Sequence, residues 1–195
     1  MLLEVKNVYK SFQTGSRTVD VLKNISFQME RGNICALLGP SGSGKSTLLN
    51  IIGGIEMPDR GSIFFDGVEI GGRDEKKLGQ YRRKRLGYVF QSYNLIPNLT
   101  LKENIESGAF LSDEPLDVDD LLHTLGLWDR QGQLPSQLSG GEQQRTAMGR
   151  ALVKNPDLLL CDEPTGALDY KTSRELLSLL EKVNRKYGCT VMIVT

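Results

Sequence analysis

Near the N-terminus, apolar positions alternate with polar ones, and short unbroken apolar runs follow. Leu3, Val5 and Val8 open one strand. Val19, Val21, Ile25, Phe27 and Met29 mark a second segment that ends at the turn Arg31-Gly32. Residues 34–38 are wholly apolar, the pattern of a short strand covered on both faces. The pattern then predicts a helix over 45–52 and a turn at Pro58-Asp59-Arg60-Gly61. A strand over 62–65 runs into Asp66-Gly67, followed by a charged helix over 75–85 and a strand over 86–90. From 100 to 153 the spacing is helical: Leu121, Leu122 and Leu125 form one apolar face, and Ser139 is placed to cap a helix reaching Val153. A strand over 158–161, an amphipathic helix over 171–187 with Leu176, Leu180 and Val183 inward, and a strand over 190–194 complete the pattern. Alternating β and α elements imply an α/β fold on a parallel sheet, with the helical middle as an insertion.

Composition narrows the classes. Lys and Arg total 24, as do Asp and Glu, so the formal charge is zero, which argues against a chain that coats nucleic acid. The apolar runs have strand length, well short of the roughly 18 to 20 residues that span a bilayer. The start MLLEVKNVYK is not a secretory signal. One His cannot build a three-His metal site. Cys35, Cys161 and Cys189 lie in or beside apolar runs with no C-x-x-C pair, as reduced, buried thiols would. The acidic group Asp113, Glu114, Asp117, Asp119, Asp120 and the basic group Arg82, Arg83, Lys84, Arg85 read as solvated faces.

The candidate chemistry begins at Gly39-Pro40-Ser41-Gly42-Ser43-Gly44-Lys45-Ser46, which fits G-x-x-x-x-G-K-[ST] between an apolar strand and a helix. With this composition the motif is expected by chance roughly 0.02 times in such a chain. Glycines let backbone N–H groups close around a phosphate, and the helix N-terminus faces the anion. Lys45 is placed to reach the β- and γ-phosphates of a nucleoside triphosphate and the Ser46 hydroxyl to ligate Mg²⁺, with Thr47 beside them. A second strand, ending Leu158-Leu159-Leu160-Cys161-Asp162-Glu163, delivers two carboxylates at its C-terminal end. Asp162 suits the Mg²⁺ ion, and Glu163 suits a general base for an attacking water. Gln91, at the end of another strand, could touch both the metal and that water.

Leu138-Ser139-Gly140-Gly141-Glu142-Gln143-Gln144-Arg145 resembles the signature sequence of ATP-binding cassette (ABC) ATPases. A Ser and two Gly at a helix start make a second anion site of hydroxyl, free N–H groups and dipole end. The resemblance covers nearly the whole chain. It implies a P-loop core with a parallel sheet, an N-terminal antiparallel β subdomain and an inserted helical subdomain: one domain over 1–195, with 1–90 and 156–195 as β subdomain plus core and about 91–155 as the helical part. It implies ATP and Mg²⁺, and a head-to-tail homodimer in which Ser139, Gly140 and Gly141 of one copy close the nucleotide site of the other.

By the same resemblance, Phe12 stands where the family stacks an aromatic on adenine, with Tyr9 the competing candidate and a core strand residue the plainer reading of either. Gln91 matches the Q-loop, and Ala167-Leu168-Asp169 matches the D-loop. The segments 22–26, 88–91, 94–97 and 165–169 look most like the ATPases of lipoprotein-release, macrolide- or peptide-export and cell-division systems. The resemblance implies an ATPase that powers export or release through a separate membrane permease, peripheral on the cytoplasmic face of the membrane. The alternative is a non-transport ABC ATPase that drives a membrane partner, as in cell division. Tyr93, Leu95, Ile96 and Pro97 are candidates to meet the permease or to pack under the loop. Asn184-Arg185-Lys186-Tyr187 lacks the N-K-x-D base reader of a GTPase. The family places a His just after the strand corresponding to 190–194; here the chain stops at Thr195 and the one His is His123. The expectation is a truncated chain that binds Mg·ATP and hydrolyses it slowly.

Overall fold

Two sheets divide the work of burial in the computed structural model, which describes residues 1–70, 74–166 and 168–195. Strands β1 (Leu3–Thr14) and β2 (Arg17–Met29) form a long antiparallel ribbon. Strand β4 (Arg60–Phe65) pairs with the other edge of β1, and the short β5 (Val68–Glu69) pairs with β4. The second sheet is parallel, in the order β3-β8-β7-β6: β3 (Ile34–Leu37), β8 (Thr190–Val194), β7 (Leu158–Asp162), β6 (Leu86–Val89). Helices α1 (Lys45–Ile52) and α2 (Glu75–Lys84) follow β3 and β5. Helices α3 (Leu101–Ala109), α4 (Val118–Leu125) and α5 (Gly140–Leu152) fill the stretch between β6 and β7, and α6 (Tyr170–Tyr187) joins β7 to β8.

The unbroken apolar runs of β7 and β8 are explained by burial on both faces. Leu158, Leu160, Met192 and Val194 point into a cluster with α1 and the antiparallel sheet, including Leu49, Ile52, Leu3 and Ile63. Their neighbours Leu159, Cys161, Val191 and Ile193 point the other way, into a cluster with Leu101, Ile105, Met148, Leu152, Leu176, Leu180 and Val183 of the helical layer. Leu176, Leu180 and Val183 thus face inward as their spacing requires.

Strand β3 departs from expectation. It lies at an edge of the described sheet with β8 as its partner, Ile34 is 40% exposed and the following Leu38 73% exposed. An apolar run specifies a strand but not how many neighbours it has, so two-sided cover does not follow from it.

The charge clusters also do more than face water. Arg82 bonds the Gly54 carbonyl (2.6 Å) and pairs with Glu75, and Arg83 donates to the Leu111 carbonyl (2.8 Å). Arg85 spans Asp66 and Asp157, each at 2.7 Å, while Lys84 meets Asp113 of the acidic group at 2.9 Å. Asp119 and Asp120 pair with Lys102 and Lys186. Residues read as solvated faces therefore tie segments distant in sequence to one another. The three thiols are free, with Cys161 and Cys189 buried and Cys35 partly so; burial pushes the Cys189 thiol up to about 12.

Lys154 donates to the Arg82 carbonyl (2.8 Å), and burial pushes its pKa down to about 8 from 10.5. Between those values the unfolded chain holds a proton that the folded chain has lost, so this group's contribution to stability rises with pH. Relative to Lys154→Met, wild-type unfolding free energy should gain about 1–3 kcal/mol from pH 7.5 to pH 10.5 in urea titrations.

Helices α3 and α5 touch at backbone distance. A Cβ on Gly108 would sit 2.3 Å from the Arg150 carbonyl oxygen and 2.8 Å from Val153 Cγ1. Gly108→Ala should push the helices apart and cost about 1–3 kcal/mol, measured by chemical denaturation.

Candidate functional site

The loop between β3 and α1 ends in a left-handed Gly44 (φ 90°), the N-cap of α1. A Cβ there would lie 2.8 Å from Val21 Cγ1 and 2.9 Å from the Val21 carbonyl oxygen, so β2 and the loop meet closely and L side chains are excluded twice over. Lys45 is 8% exposed and curls back on its own loop, its Nζ donating to the carbonyls of Gly39 (2.7 Å) and Pro40 (3.0 Å). The Ser43 N–H donates to the Pro40 carbonyl (3.2 Å), closing the turn.

Across the loop stands the end of β7. The Ser46 hydroxyl donates to Asp162 Oδ1 at 2.9 Å. Burial raises the Asp162 carboxyl above the ordinary range; the Ser46 bond opposes this, and the Glu163 charge adds to it. Glu163 itself has φ 44°, a left-handed conformation costing a non-glycine residue of order 1 kcal/mol, fixed by its N–H bond to the Val194 carbonyl (2.9 Å). Its Oε2 accepts from Gln91 Nε2 at 3.0 Å, which brings the end of β6 to the end of β7.

Phe12, Val21, Ser41, Gly42, Gly44, Lys45, Ser46, Thr47 and Glu163 line a cavity of about 340 Å³. Gly39 and Pro40 join it through Lys45, Asp162 through Ser46 and Gln91 through Glu163. Tyr9 lines a different hollow with Lys10, Asp20, Asp59 and Arg60, so of the two aromatics it is Phe12 that borders the loop. The oxygen donors of Ser46 and Asp162, already 2.9 Å apart, fit a hard cation such as Mg²⁺ that takes its remaining ligands from phosphate and water. Among the described residues no group of three or more His, Cys, Asp or Glu gathers as a cage.

Ser139, Gly140 and Gly141 are not in this cavity. They line a second cleft of about 360 Å³ with Arg145, Leu168, Asp169, Thr172 and Glu175. Ser139 caps α5 in a capping box: its hydroxyl donates to Glu142 Oε2 (2.8 Å) and accepts from the Glu142 N–H (3.3 Å). The Ser139 backbone and hydroxyl bonds hold the Glu142 carboxyl below its usual range. Asp169 caps α6 through Thr172; Ala167, the first D-loop residue, lies outside the described residues. His123 stacks on Trp128 with ring centroids 4.2 Å apart. Tyr93 and Leu95 pack against the helical cluster, whereas Ile96 and Pro97 are exposed.

Two residues that organise the site were not singled out by sequence. Asn104 is fully buried, accepting from the Ile96 N–H and donating to the carbonyls of Ile96, Leu99 and Thr100, which folds the segment after Gln91. Its signal was an Asn in the apolar stripe Leu101, Ile105, Gly108 of α3. Arg150 donates to the carbonyls of Asn94 (2.6 Å) and Tyr93 (2.9 Å); its signal was a lone charge between Gly149 and Ala151.

A phosphate-type loop, paired carboxylates on the adjacent strand and a second Ser-Gly-Gly helix start define a cassette ATPase. The family model described as ABC transporter matches residues 22–166. The lipoprotein-releasing system ATP-binding protein LolD of Syntrophus aciditrophicus is 40% identical, over all of this chain and 89% of its own. The MG065 homolog of Mycoplasma pneumoniae is 44% identical over all of this chain, which spans 42% of that relative's length. A dimeric structure of the ATP-binding cassette MJ0796, bound to ADP and Pi in a post-hydrolysis state, superposes with a TM-score of 0.88 at 39% identity, covering 100% of this chain and 88% of that one. The chain belongs to the ABC transporter family, and its fold is that of the ABC ATPase cassette.

Proposed function

We propose that this chain is the ATP-binding and ATP-hydrolysing subunit of an ABC transporter, powering export or release of a substrate through a separate membrane permease at the cytoplasmic face. The observation that carries the reading is the cavity in which Phe12, the loop over 41–47 and Glu163 converge, with Asp162 and Gln91 hydrogen-bonded to its wall. Residues 1–195 form one ABC ATPase domain in this reading, the β subdomain and core over 1–90 and 156–195, the helical part over about 91–155.

Each residue has a task that its position supports. Phe12, 39% exposed at the cavity rim, stacks on the adenine. The backbone N–H groups over 39–44 and the start of α1 receive the phosphates, and Lys45 exchanges its two loop carbonyls for the β- and γ-phosphate oxygens. Ser46, Asp162 and Gln91 would hold Mg²⁺, which would supply positive charge against that developing on the phosphates. Glu163 accepts a proton from the attacking water, and Gln91 orients both. The second cleft is separate from the first, so Ser139, Gly140 and Gly141 act on a nucleotide held by a second copy, head to tail. Slow turnover by residues 1–195 is part of this reading, since their one imidazole, His123, stacks on Trp128 and does not line the cavity; steady-state hydrolysis by these residues tests it.

The decisive measurement is equilibrium binding of a fluorescent ATP analogue with and without Mg²⁺. Saturable binding that Mg²⁺ strengthens, and that Asp162→Asn makes Mg²⁺-independent, is the expected result. Absence of nucleotide binding would overturn the reading.

A further inference from the structure

The segment that follows Gln91 is held in a conformation its sequence does not favour. Tyr93 (φ 59°) and Asn94 (φ 50°) are consecutive non-glycine residues in the left-handed region. Asn tolerates that region, Tyr does not, and such a pair persists only where surrounding structure imposes it. Local bonds are few: the Tyr93 N–H donates to the Phe90 carbonyl (3.2 Å) and the Asn94 N–H to the Ser92 carbonyl (2.6 Å).

The clamp is Arg150. One half-buried guanidinium takes both consecutive carbonyls, NH1 to Asn94 (2.6 Å) and NH2 to Tyr93 (2.9 Å). Burial pulls its pKa below the ordinary range, and both ends of its fork go to carbonyl dipoles rather than to a carboxylate. Arg150 sits near the far end of α5 from Ser139, about 16 Å along the axis at 1.5 Å per residue. Tyr93 also reaches the near end: its hydroxyl oxygen is 3.6 Å from where a Cβ on Gly140 would stand. The strained segment is therefore fastened to α5 at Arg150, passes close to the Ser-Gly-Gly start, and at its other side begins at Gln91, which touches Glu163 at 3.0 Å.

We infer that Arg150 is a positioning residue for hydrolysis: by holding the Tyr93 and Asn94 carbonyls it fixes the backbone that aims Gln91 at Glu163, so that the position of α5 sets the geometry of the water-activating pair. The inference rests on the roles proposed for Gln91 and Glu163. It predicts that losing the clamp slows the chemical step without weakening the binding of ATP, and that the loss has nothing further to act on once Gln91 is gone.

The test is a double-mutant cycle in the 195-residue chain, following hydrolysis at saturating Mg·ATP together with the Kd for ATP. Arg150→Met should slow hydrolysis about tenfold or more with Kd changed less than about twofold, and Arg150→Lys, which can serve one carbonyl, should fall between. In a Gln91→Ala background Arg150→Met should change the rate less than about twofold. Equal slowing with and without Gln91, or loss of ATP affinity in step with rate, overturns the inference. If Arg150→Met does not fold, Arg150→Lys carries the same cycle, and a wild-type rate for it overturns the inference. A wild-type rate for Gln91→Ala alone overturns the proposed role of Gln91, and the inference with it, whereas slow Gln91→Ala with additive Arg150 variants removes the inference alone.

Discussion

Glu163→Gln should leave ATP binding intact and slow hydrolysis about a hundred- to ten-thousand-fold, the range assigned to a positioned general base. The amide is nearly isosteric with the carboxylate and can still accept the Gln91 Nε2–H bond through its oxygen, so the wall of the cavity is kept. What is lost is the capacity to take a proton. A consequence follows for assembly: with two triphosphates bound and not consumed, the head-to-tail pair should persist. Size exclusion of the variant with ATP should show a dimer, and with ADP a monomer. A monomer under both conditions would remove either the sandwich arrangement or the role of Glu163, and single-turnover hydrolysis tells which.

Lys45→Met should weaken Mg·ATP binding by about 3 kcal/mol, some hundredfold, because two charge-assisted bonds to phosphate are lost. The Nζ is already desolvated against the carbonyls of Gly39 and Pro40, so the wild-type lysine changes partners rather than leaving water. A methionine fills similar volume, and its folding free energy should stay within about 1.5 kcal/mol of wild type. Isothermal titration with ATP, paired with urea denaturation, separates these two effects. Unchanged ATP affinity would place the phosphates elsewhere.

Contiguity decides what the sequence makes legible. Lys45 and Ser46 lie in one run with their glycines, and Asp162-Glu163 end an apolar run, so strand, loop and helix start each carry their own chemistry on one short stretch. The same holds for Ser139-Gly140-Gly141 and its cap. The choice between Tyr9 and Phe12 is not local. Register shifts in the β1–β2 pairing fall between Val5 and Val8, Val8 and Lys10, and Lys10 and Ser11. Each slip changes which face a residue meets, so alternation read along β1 cannot say which ring borders the loop. The contacts of Arg150 with Tyr93 and of Lys84 with Asp113 join residues far apart in sequence, and no periodicity encodes a partner at that range. The edge position of β3 was equally invisible, because its composition matches that of β7 and β8.

The two-sided strands have a consequence for how the molecule opens. Loosening either hydrophobic cluster must disturb β7, since Leu158 and Leu160 belong to one and Leu159 and Cys161 to the other. Amide protons of β7 should therefore exchange with deuterium only through global unfolding, while those of the partly exposed Gln91–Pro97 segment, held to α5 by Arg150, should exchange through smaller local openings. Asp162 ends this strand and Glu163 follows it, whereas Gln91 lies in the surface segment after β6. The pair proposed to activate water is thus split between a strand that should open only with the whole molecule and a segment whose hold depends on one side chain, Arg150.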